Sequence, residues 1–147
     1  MKPLNILLVE DDDIDAEHIV RGFQRQGFEP SITFAQNGQE ALAILRNTYG
    51  QHSIEYPRII ITDINMPVMN GLELLRELRS DPDLRRSVVF VLSGSNLESD
   101  RSAAYAQQAA GYLLKEDLEQ NWPQLSKLLQ LYGSIVEFPM EGRKAVA

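Results

Sequence analysis

A run of isoleucines that ends at a carboxylate constrains the fold of this chain more than any other stretch. Residues 59–61 are all isoleucine, and they lie between Pro57 and a later turn that contains Pro67 and Gly71. This pattern predicts a strand buried on both faces, as in a parallel sheet. The run ends at Asp63, at the end of the strand where open α/β sheets bind their ligands. Aspartate also caps ordinary turns, so this stretch alone leaves both roles open for Asp63.

Short apolar runs alternate with amphipathic helical patterns along the rest of the chain. The runs predict five strands, at residues 4–9, 31–35, 59–62, 88–92 and 111–114. The helical patterns follow them, at residues 16–23, 41–45, 74–78, 98–110 and 118–132. Strands and helices that alternate in this way predict one three-layer α/β domain with a parallel sheet, right-handed crossovers and helices on both faces.

Composition limits the possible partners and chemistry. A net charge of −7, from 14 basic and 21 acidic residues, argues against a general nucleic-acid or anionic-membrane surface. The absence of cysteine excludes disulfides, thiolate metal sites and cysteine nucleophiles. The first residues form neither a signal peptide nor a membrane span, so we expect a cytoplasmic protein that contacts no membrane and no nucleic acid directly.

Polar side chains fall at the predicted carboxyl ends of four strands. Glu10 and Asp11 follow the first strand, Asp63 the third, Ser93 the fourth and Lys115 the fifth. These ends share one edge of a parallel sheet, where three mutually repelling carboxylates invite a hard cation such as Mg²⁺. A lysine beside them suits an arriving phosphoryl group, whose oxygens it neutralises. One carboxylate can then act as the nucleophile, and a hydroxyl can donate a hydrogen bond.

The sequences around these residues resemble the receiver domains of two-component response regulators. The resemblance covers residues 4 to about 131, and it is carried by Leu-Leu-Val-Glu-Asp at 7–11, Thr-Asp-Ile-Asn-Met-Pro at 62–67, Gly71, Val-Leu-Ser-Gly at 91–94 and Tyr-Leu-Leu-Lys at 112–115. It implies a flavodoxin-like α/β/α sandwich whose five parallel strands have the order 2-1-3-4-5.

The resemblance implies a phosphoryl acceptor and a metal site. Asp63 would accept a phosphoryl group from the phosphohistidine of a histidine kinase, in a reaction that needs Mg²⁺ or another divalent ion such as Mn²⁺. The protein ligands of the ion would be the carboxylates of Glu10, Asp11 and Asp63 and the backbone carbonyl of Asn65.

The same resemblance implies a switch on the neighbouring strands. Ser93 and Lys115 would bind the phosphoryl oxygens, and Tyr112 falls at the aromatic position whose ring follows the serine hydroxyl. From the residues alone, Ser93 can also belong to a tight turn, and Tyr112 can be an edge residue with its hydroxyl in water. Ser93 stands where threonine is commoner, and Glu116 stands where the family has a proline after a cis bond. A cis bond before another residue costs roughly 2.5–4 kcal/mol, so we expect a trans bond, or a strained cis one, and an altered loop after Lys115.

Residues 133–147 follow the predicted receiver domain of residues 1–132 as a C-terminal extension. A frayed terminus would not need its apolar side chains, which are Ile135, Val136, Phe138 and Met140. We expect them to contribute to a homodimer or, alternatively, to pack on their own chain. This tail, the long loop at 49–57 and the residue after Lys115 resemble the single-domain regulators that pair with phytochrome-type histidine kinases in bacteria.

Three functions compete for this set of residues. The leading one is a signalling phosphoacceptor, not an enzyme acting on other substrates, whose output is phosphorylation-dependent protein binding. The second is a receiver-like binding module that signals without phosphorylation. The third is a Mg²⁺-dependent phosphatase with an aspartyl nucleophile, but Asn65 lacks the carboxyl group that such an enzyme would use as its general acid.

Overall fold

The computed structural model describes residues 3–46, 54–56 and 58–139, and within these ranges five parallel strands form a single sheet. The strands are β1 (Asn5–Val9), β2 (Ser31–Ala35), β3 (Arg58–Thr62), β4 (Val89–Ser93) and β5 (Gly111–Leu114). Their order in the sheet is β2-β1-β3-β4-β5, so the predicted topology is confirmed. This order places β1 and β3 side by side at the centre of the sheet.

Helices follow each strand in the described part of the chain. They are α1 (Asp13–Arg25), α2 (Gly38–Leu45), α3 (Gly71–Ser80), α4 (Glu98–Ala106) and α5 (Trp122–Ile135), with a 3-10 helix (Lys115–Gln120) between β5 and α5. None of these helices is long and apolar enough to cross a membrane.

Alternate residues of the central strands pack in two separate hydrophobic cores, one on each face of the sheet, so the fold has three layers. Ile60 of β3 packs with the buried faces of α2, α3 and α4, whereas Ile59 and Ile61 pack with those of α1 and α5. All three isoleucines are at most 1% exposed. A strand covered on both faces reads as a continuous apolar run, which is why this stretch was informative in the sequence.

The predicted end of the fourth helix was wrong by four residues. The pattern predicted helix to Ala110, but α4 ends at Ala106, and Gln108 adopts a left-handed φ of 58°. Arg79 of α3 donates hydrogen bonds to the carbonyls of the two residues that follow α4, at 2.7 and 3.0 Å. A side chain from another helix therefore satisfies carbonyl groups in the turn that follows this helix.

The last helix also differs from its predicted bounds. Leu118 was predicted to line it, but this buried residue lies in the preceding 3-10 helix. α5 begins at Trp122, with Pro123 in its first turn, and continues to Ile135, beyond the predicted domain boundary at residue 132. The segment after Lys115 is this 3-10 helix, and the expected geometry of the Lys115–Glu116 bond stays a prediction.

Candidate functional site

The pairing of β1 with β3 brings two acidic side chains together at the carboxyl edge of the sheet. Val9 is opposite Thr62, so Glu10 and Asp63 are the next residues on adjacent strands. The backbone N–H of Asp63 donates to the carbonyl of Val9 at 3.0 Å, which extends the ladder one residue past the strand. Glu10 is 5% exposed and Asp63 is 7% exposed, so both carboxylates are held in a buried position.

The turn after β3 fixes the backbone of Asp63. The hydroxyl of Thr62 donates to the carbonyl of Asp63 at 2.9 Å, and the backbone N–H of Ile64 donates to its Oδ1 at 2.7 Å. Gly71, the first residue of α3, lies so close that a Cβ atom there would be 2.0 Å from the carbonyl oxygen of Asp63. The glycine therefore allows the start of α3 to pack directly on the backbone that carries the acid.

Lys115 joins this pair from the end of β5. Its Nζ donates to Oε2 of Glu10 at 2.8 Å, to Oδ2 of Asp15 at 2.9 Å and to Oδ2 of Asp63 at 3.0 Å. Burial alone would lower the pKa of the Lys115 ammonium, but its hydrogen bonds to the three carboxylates raise that pKa overall. The lysine is therefore a fixed positive charge beside Asp63.

The acidic cluster offers a donor set for a divalent cation. Burial raises the pKa of Glu10 to about 7, against the lowering effect of the hydrogen bond from Lys115. Carboxylate oxygens of Glu10, Asp11 and Asp63 lie within 4.8 Å of one another, and Asp11 is exposed to solvent. A hard cation between these oxygens would relieve their repulsion, and such oxygen ligands suit Mg²⁺ or Mn²⁺.

The acid that follows Asp11 in the sequence stabilises the start of α1. Asp12 caps α1, and its carboxylate accepts hydrogen bonds from the backbone N–H groups of Ile14 and Asp15 at 2.8 and 3.2 Å. Asp11 lies in the acidic cluster with Glu10 and Asp63, and Asp15 lies on the first turn of α1.

The structure places the two remaining predicted ligands at the same edge. Ser93 is the last residue of β4, opposite Leu114 in the register, and it is fully buried. Its Oγ accepts a hydrogen bond from the backbone N–H of Ser95 at 3.0 Å. Asn65 is an exposed residue in the turn after Asp63. The contact of Ser93 with a phosphoryl group and of the Asn65 carbonyl with a cation stay predictions.

Tyr112 links β5 to the loop that follows Ser93. Its hydroxyl donates to the backbone carbonyl of Ser95 at 2.8 Å, and the side chain is half-buried. The Arg101 guanidinium lies 5.8 Å from the centre of the tyrosine ring, within range of a cation–π interaction. A movement of the loop at Ser95 would therefore change the position of the Tyr112 ring.

Sequence reasoning missed two residues of this site. Asp15 lies four residues after Asp11 in the sequence, and its contact with Lys115 was not predicted. Ser95 was not among the predicted site residues, although it contacts Ser93, Tyr112 and, through its own hydroxyl, Asp100. The sequence signal for Asp15 was its position at the start of the predicted helix, because its side chain projects from the first turn of α1.

The described part of the C-terminal extension packs partly on its own chain. The ring of Phe138 lies 5.7 Å from that of Tyr132 and 6.4 Å from that of Tyr56. Ile135 is 76% exposed, whereas Val136 is half-buried. Met140 and most of the predicted loop at 49–57 lie outside the described residues.

Comparison with known proteins adds a family and several relatives. The family model described as the response regulator receiver domain matches residues 6–145. FilR2, a probable methanogenesis regulatory protein of Methanothrix harundinacea, is 36% identical over 122 residues, which cover 80% of this chain and 77% of FilR2.

Two further relatives are cyanobacterial regulators. Response regulator Rcp1 of Synechocystis is 31% identical over 128 residues, which cover 87% of this chain and 85% of Rcp1. The crystal structure of the Mn²⁺-bound form of Rcp1 has a TM-score of 0.73 at 29% identity, covering 94% of this chain and 99% of the other. The phosphorylated cyanobacterial phytochrome response regulator RcpA has a TM-score of 0.76 at 31% identity, covering 92% and 97%.

Proposed function

We propose, because this chain belongs to the response regulator receiver family, that Asp63 accepts the phosphoryl group of a phosphohistidine in a histidine kinase. The chain is a two-component response regulator, and receivers of this family work with histidine kinases. The proposal is supported above all by one observation. The ammonium of Lys115 lies 3.0 Å from the carboxylate of Asp63, in a buried acidic site at the edge of the sheet.

The proposed step moves a phosphoryl group from nitrogen to oxygen. A carboxylate oxygen of Asp63 forms a bond to phosphorus while the phosphorus–nitrogen bond to the imidazole breaks. The electron pair of that bond stays on the imidazole nitrogen, which then takes up a proton. Lys115 neutralises the phosphoryl oxygens, so the protein contributes mainly position and charge. The only chemistry that we assign to the chain is this phosphorylation and the later hydrolysis of its own phosphoaspartate.

We assign a divalent cation, Mg²⁺ or Mn²⁺, to Glu10, Asp11 and Asp63, with the backbone carbonyl of Asn65 as a further ligand. The spacing of the three carboxylates supports this assignment, as does the Mn²⁺-bound structure of the related Rcp1. When bound, the cation neutralises the charge on the carboxylate and phosphoryl oxygens.

We assign the conformational response to the loop after β4. Ser93 would donate its hydroxyl to a phosphoryl oxygen, and in this structure that hydroxyl oxygen accepts from the N–H of Ser95. Since Ser95 also accepts from the hydroxyl of Tyr112, a shift of Ser93 would alter the position of the tyrosine ring. The output of the switch would then be the binding of another protein to the surface around Tyr112.

The acceptor assignment is tested by the Asp63→Asn variant. Mg²⁺-dependent labelling of the protein by acetyl phosphate should disappear, because an amide cannot replace the attacking carboxylate. The Asp13→Asn variant is the matched control, since it removes one exposed carboxylate from the start of α1. Labelling of Asp63→Asn at the level of this control would rule out Asp63 as the acceptor.

A phosphorylation-independent binding module is the competing function. Beryllofluoride, which imitates a phosphoryl group on aspartate, separates the two because only a switch responds to it. Ultracentrifugation with Mg²⁺ alone and with Mg²⁺ plus beryllofluoride should show a change in self-association or partner binding only in the second sample. The same behaviour in both samples would favour the module.

We also propose that α5 and the C-terminal extension form a homodimer interface. On α5, Leu128, Leu131 and Ile135 recur at intervals of three and four residues and are 44%, 50% and 76% exposed. Val136, Phe138 and Met140 would extend this surface. Leu131→Glu should lower the dimer fraction in sedimentation velocity, and Gln130→Glu, the same new charge at an exposed neighbouring position, should not. Equal sedimentation of both variants would contradict this interface.

The relatives of this chain bear on which histidine kinase is its partner. Similarity to the phytochrome regulator RcpA favours a bacteriophytochrome, whereas FilR2 is named for methanogenesis. Measuring phosphotransfer to this chain from each histidine kinase of the source organism would identify the partner kinase. We expect the reaction to take place in the cytoplasm, where kinases have ATP. We propose no direct contact with nucleic acid. Preferential transfer from a kinase without a phytochrome sensor would contradict the phytochrome assignment.

A further inference from the structure

The hydrogen bonds of Lys115 include one that the proposed phosphoryl transfer does not use. An ammonium has three N–H donors, and here all of them have carboxylate acceptors within 3.0 Å. Glu10 and Asp63 belong to the buried acidic site, but Asp15 lies on α1 and its side chain is 45% exposed. The contact with Asp15 therefore needs a reason of its own.

The three acceptors come from three separate elements and fix the direction of every N–H bond. Glu10 follows β1, Asp63 follows β3, and Asp15 lies in the first turn of α1. The side chain of Asp12 caps this turn and accepts from the backbone N–H of Asp15 at 3.2 Å, so Asp15 projects from an anchored helix start. Two bonds, to Glu10 and Asp15, leave the third N–H of Lys115 pointing at Asp63.

We propose that Asp15 is a positioning residue, which holds the ammonium of Lys115 so that one N–H points at the phosphoryl group on Asp63. This inference rests on the proposed function of Asp63. A donor aligned in advance needs no reorganisation when charge develops on the phosphoryl oxygens, and this is the main source of electrostatic stabilisation in such sites. Without Asp15, the ammonium keeps two carboxylates but can rotate about them, and the aligned donor is lost for part of the time.

Asp15 also has an effect that disfavours phosphorylation, which is electrostatic repulsion. Its negative charge lies near the site and disfavours an incoming anionic donor, so removing that charge alone would speed phosphorylation. Asp13 gives a matched control for this term, because it is an exposed acid in the same first turn of α1. The difference between Asp15→Ala and Asp13→Ala therefore isolates the contact with Lys115.

The affinity for beryllofluoride in the presence of Mg²⁺ is the principal measurement. Loss of a charge-assisted hydrogen bond at this half-exposed position should weaken beryllofluoride binding by about five- to tenfold in Asp15→Ala. The affinity for Mg²⁺ alone should stay unchanged, since Asp15 lies outside the group of metal-binding carboxylates. Asp13→Ala should bind beryllofluoride like the parent, and Asp15→Glu, which keeps a carboxylate within reach, should recover most of the affinity.

A double-mutant cycle separates positioning from a merely structural effect. On a Lys115→Ala background, Asp15→Ala should weaken beryllofluoride binding no further, because the group that it positions is gone. A further loss of the same factor would overturn the proposal, as would equal affinities of Asp15→Ala and Asp13→Ala. Thermal unfolding of each variant shows that it is folded at the temperature of the titration.

A measurement without metal or phosphoryl group makes the test independent of the proposed function. In the metal-free protein, the ammonium of Lys115 should exchange its protons with water faster in Asp15→Ala than in Asp13→Ala, as followed by NMR. Equal exchange would overturn the positioning role. If the parent binds no beryllofluoride, the proposed function fails, and the exchange rates still decide whether Asp15 holds Lys115.

Discussion

Replacing Gly71 by alanine should disturb the backbone that carries Asp63, the proposed phosphoryl acceptor. The added Cβ would lie 2.0 Å from the carbonyl oxygen of Asp63, 2.9 Å from its carbonyl carbon and 3.0 Å from Cα of Ile64. Real Cβ atoms essentially never approach within 3.0 Å, so the first distance must grow by at least 1.0 Å. The neighbours are backbone atoms, and hydrogen bonds from Thr62 and to Val9 hold them in place.

Two opposing terms set the size of the effect. Overpacking of this kind costs about 1–3 kcal/mol or more, whereas alanine in a helix gains up to about 1 kcal/mol over glycine. Since rigid backbone must move here, we expect the upper end of the first range and a net loss of about 2 kcal/mol in the free energy of unfolding. For a chain of this length that corresponds to a fall in Tm of roughly 4–8 °C. A displacement of Asp63 by about 1 Å would also slow phosphorylation, by as much as 10²-fold.

The assay is urea unfolding followed by circular dichroism and by the emission of Trp122, the single tryptophan. Gly94→Ala is the control, because a Cβ at Gly94 has no atom within 4 Å. That variant should unfold like the parent or be stabilised by up to about 1 kcal/mol. If Gly71→Ala is as stable as Gly94→Ala and is phosphorylated at the parent rate, the packing of α3 on Asp63 is not what the structure implies.

Other predictions concern the surroundings of the site. Arg79→Met should lower the free energy of unfolding by about 2–4 kcal/mol in a urea titration, since four backbone carbonyls lose their charged donor; an unchanged midpoint would contradict this. Burial alone would raise the pKa of Asp81, but hydrogen bonds from the backbone N–H of Asp83 and from Arg46 lower this pKa overall. The contribution of Asp81 to stability is therefore present above its unfolded-state pKa and is lost as the pH falls through its folded-state pKa. Asp81→Asn should therefore lose stability at neutral pH and show a shallower loss in acid, which unfolding curves between about pH 7 and pH 3 would test; parallel curves would refute it. Tyr112→Phe should leave phosphorylation by acetyl phosphate unchanged and reduce the beryllofluoride-dependent output, whereas an unchanged output would remove the hydroxyl from the switch.

The sequence determined the fold and the positions of the principal acids. A strand buried on both faces must be apolar throughout, so residues 59–61 identified the centre of the sheet without any tertiary information. Parallel strands in an α/β sheet share one carboxyl edge, and this rule alone predicted that Glu10, Asp63 and Lys115 would meet. The observed hydrogen bonds of Lys115 confirm their meeting.

Tertiary structure decided the features that depend on contacts between distant segments. α4 ends before the predicted helical pattern does, and Arg79, 28 residues away from Gln107, donates hydrogen bonds to the carbonyls just beyond the helix. Local sequence contained no such signal, since no glycine or proline marks that end. Likewise Asp15 lies 100 residues from Lys115 in the sequence, and the two meet because of where α1 starts relative to the end of β5.

Period and spacing along the chain thus specified which residues are buried and which edge carries the chemistry, because those properties follow from the geometry of single strands and helices. The partners of each polar side chain were set only when the elements packed. A hydrogen bond forms over about 3 Å, and the position of one helix on the sheet selects among several acids that differ in sequence by only a few residues. That is why the position of Asp63 at this edge was predicted from the sequence, whereas the contact of Asp15 with Lys115 is seen only in the structure.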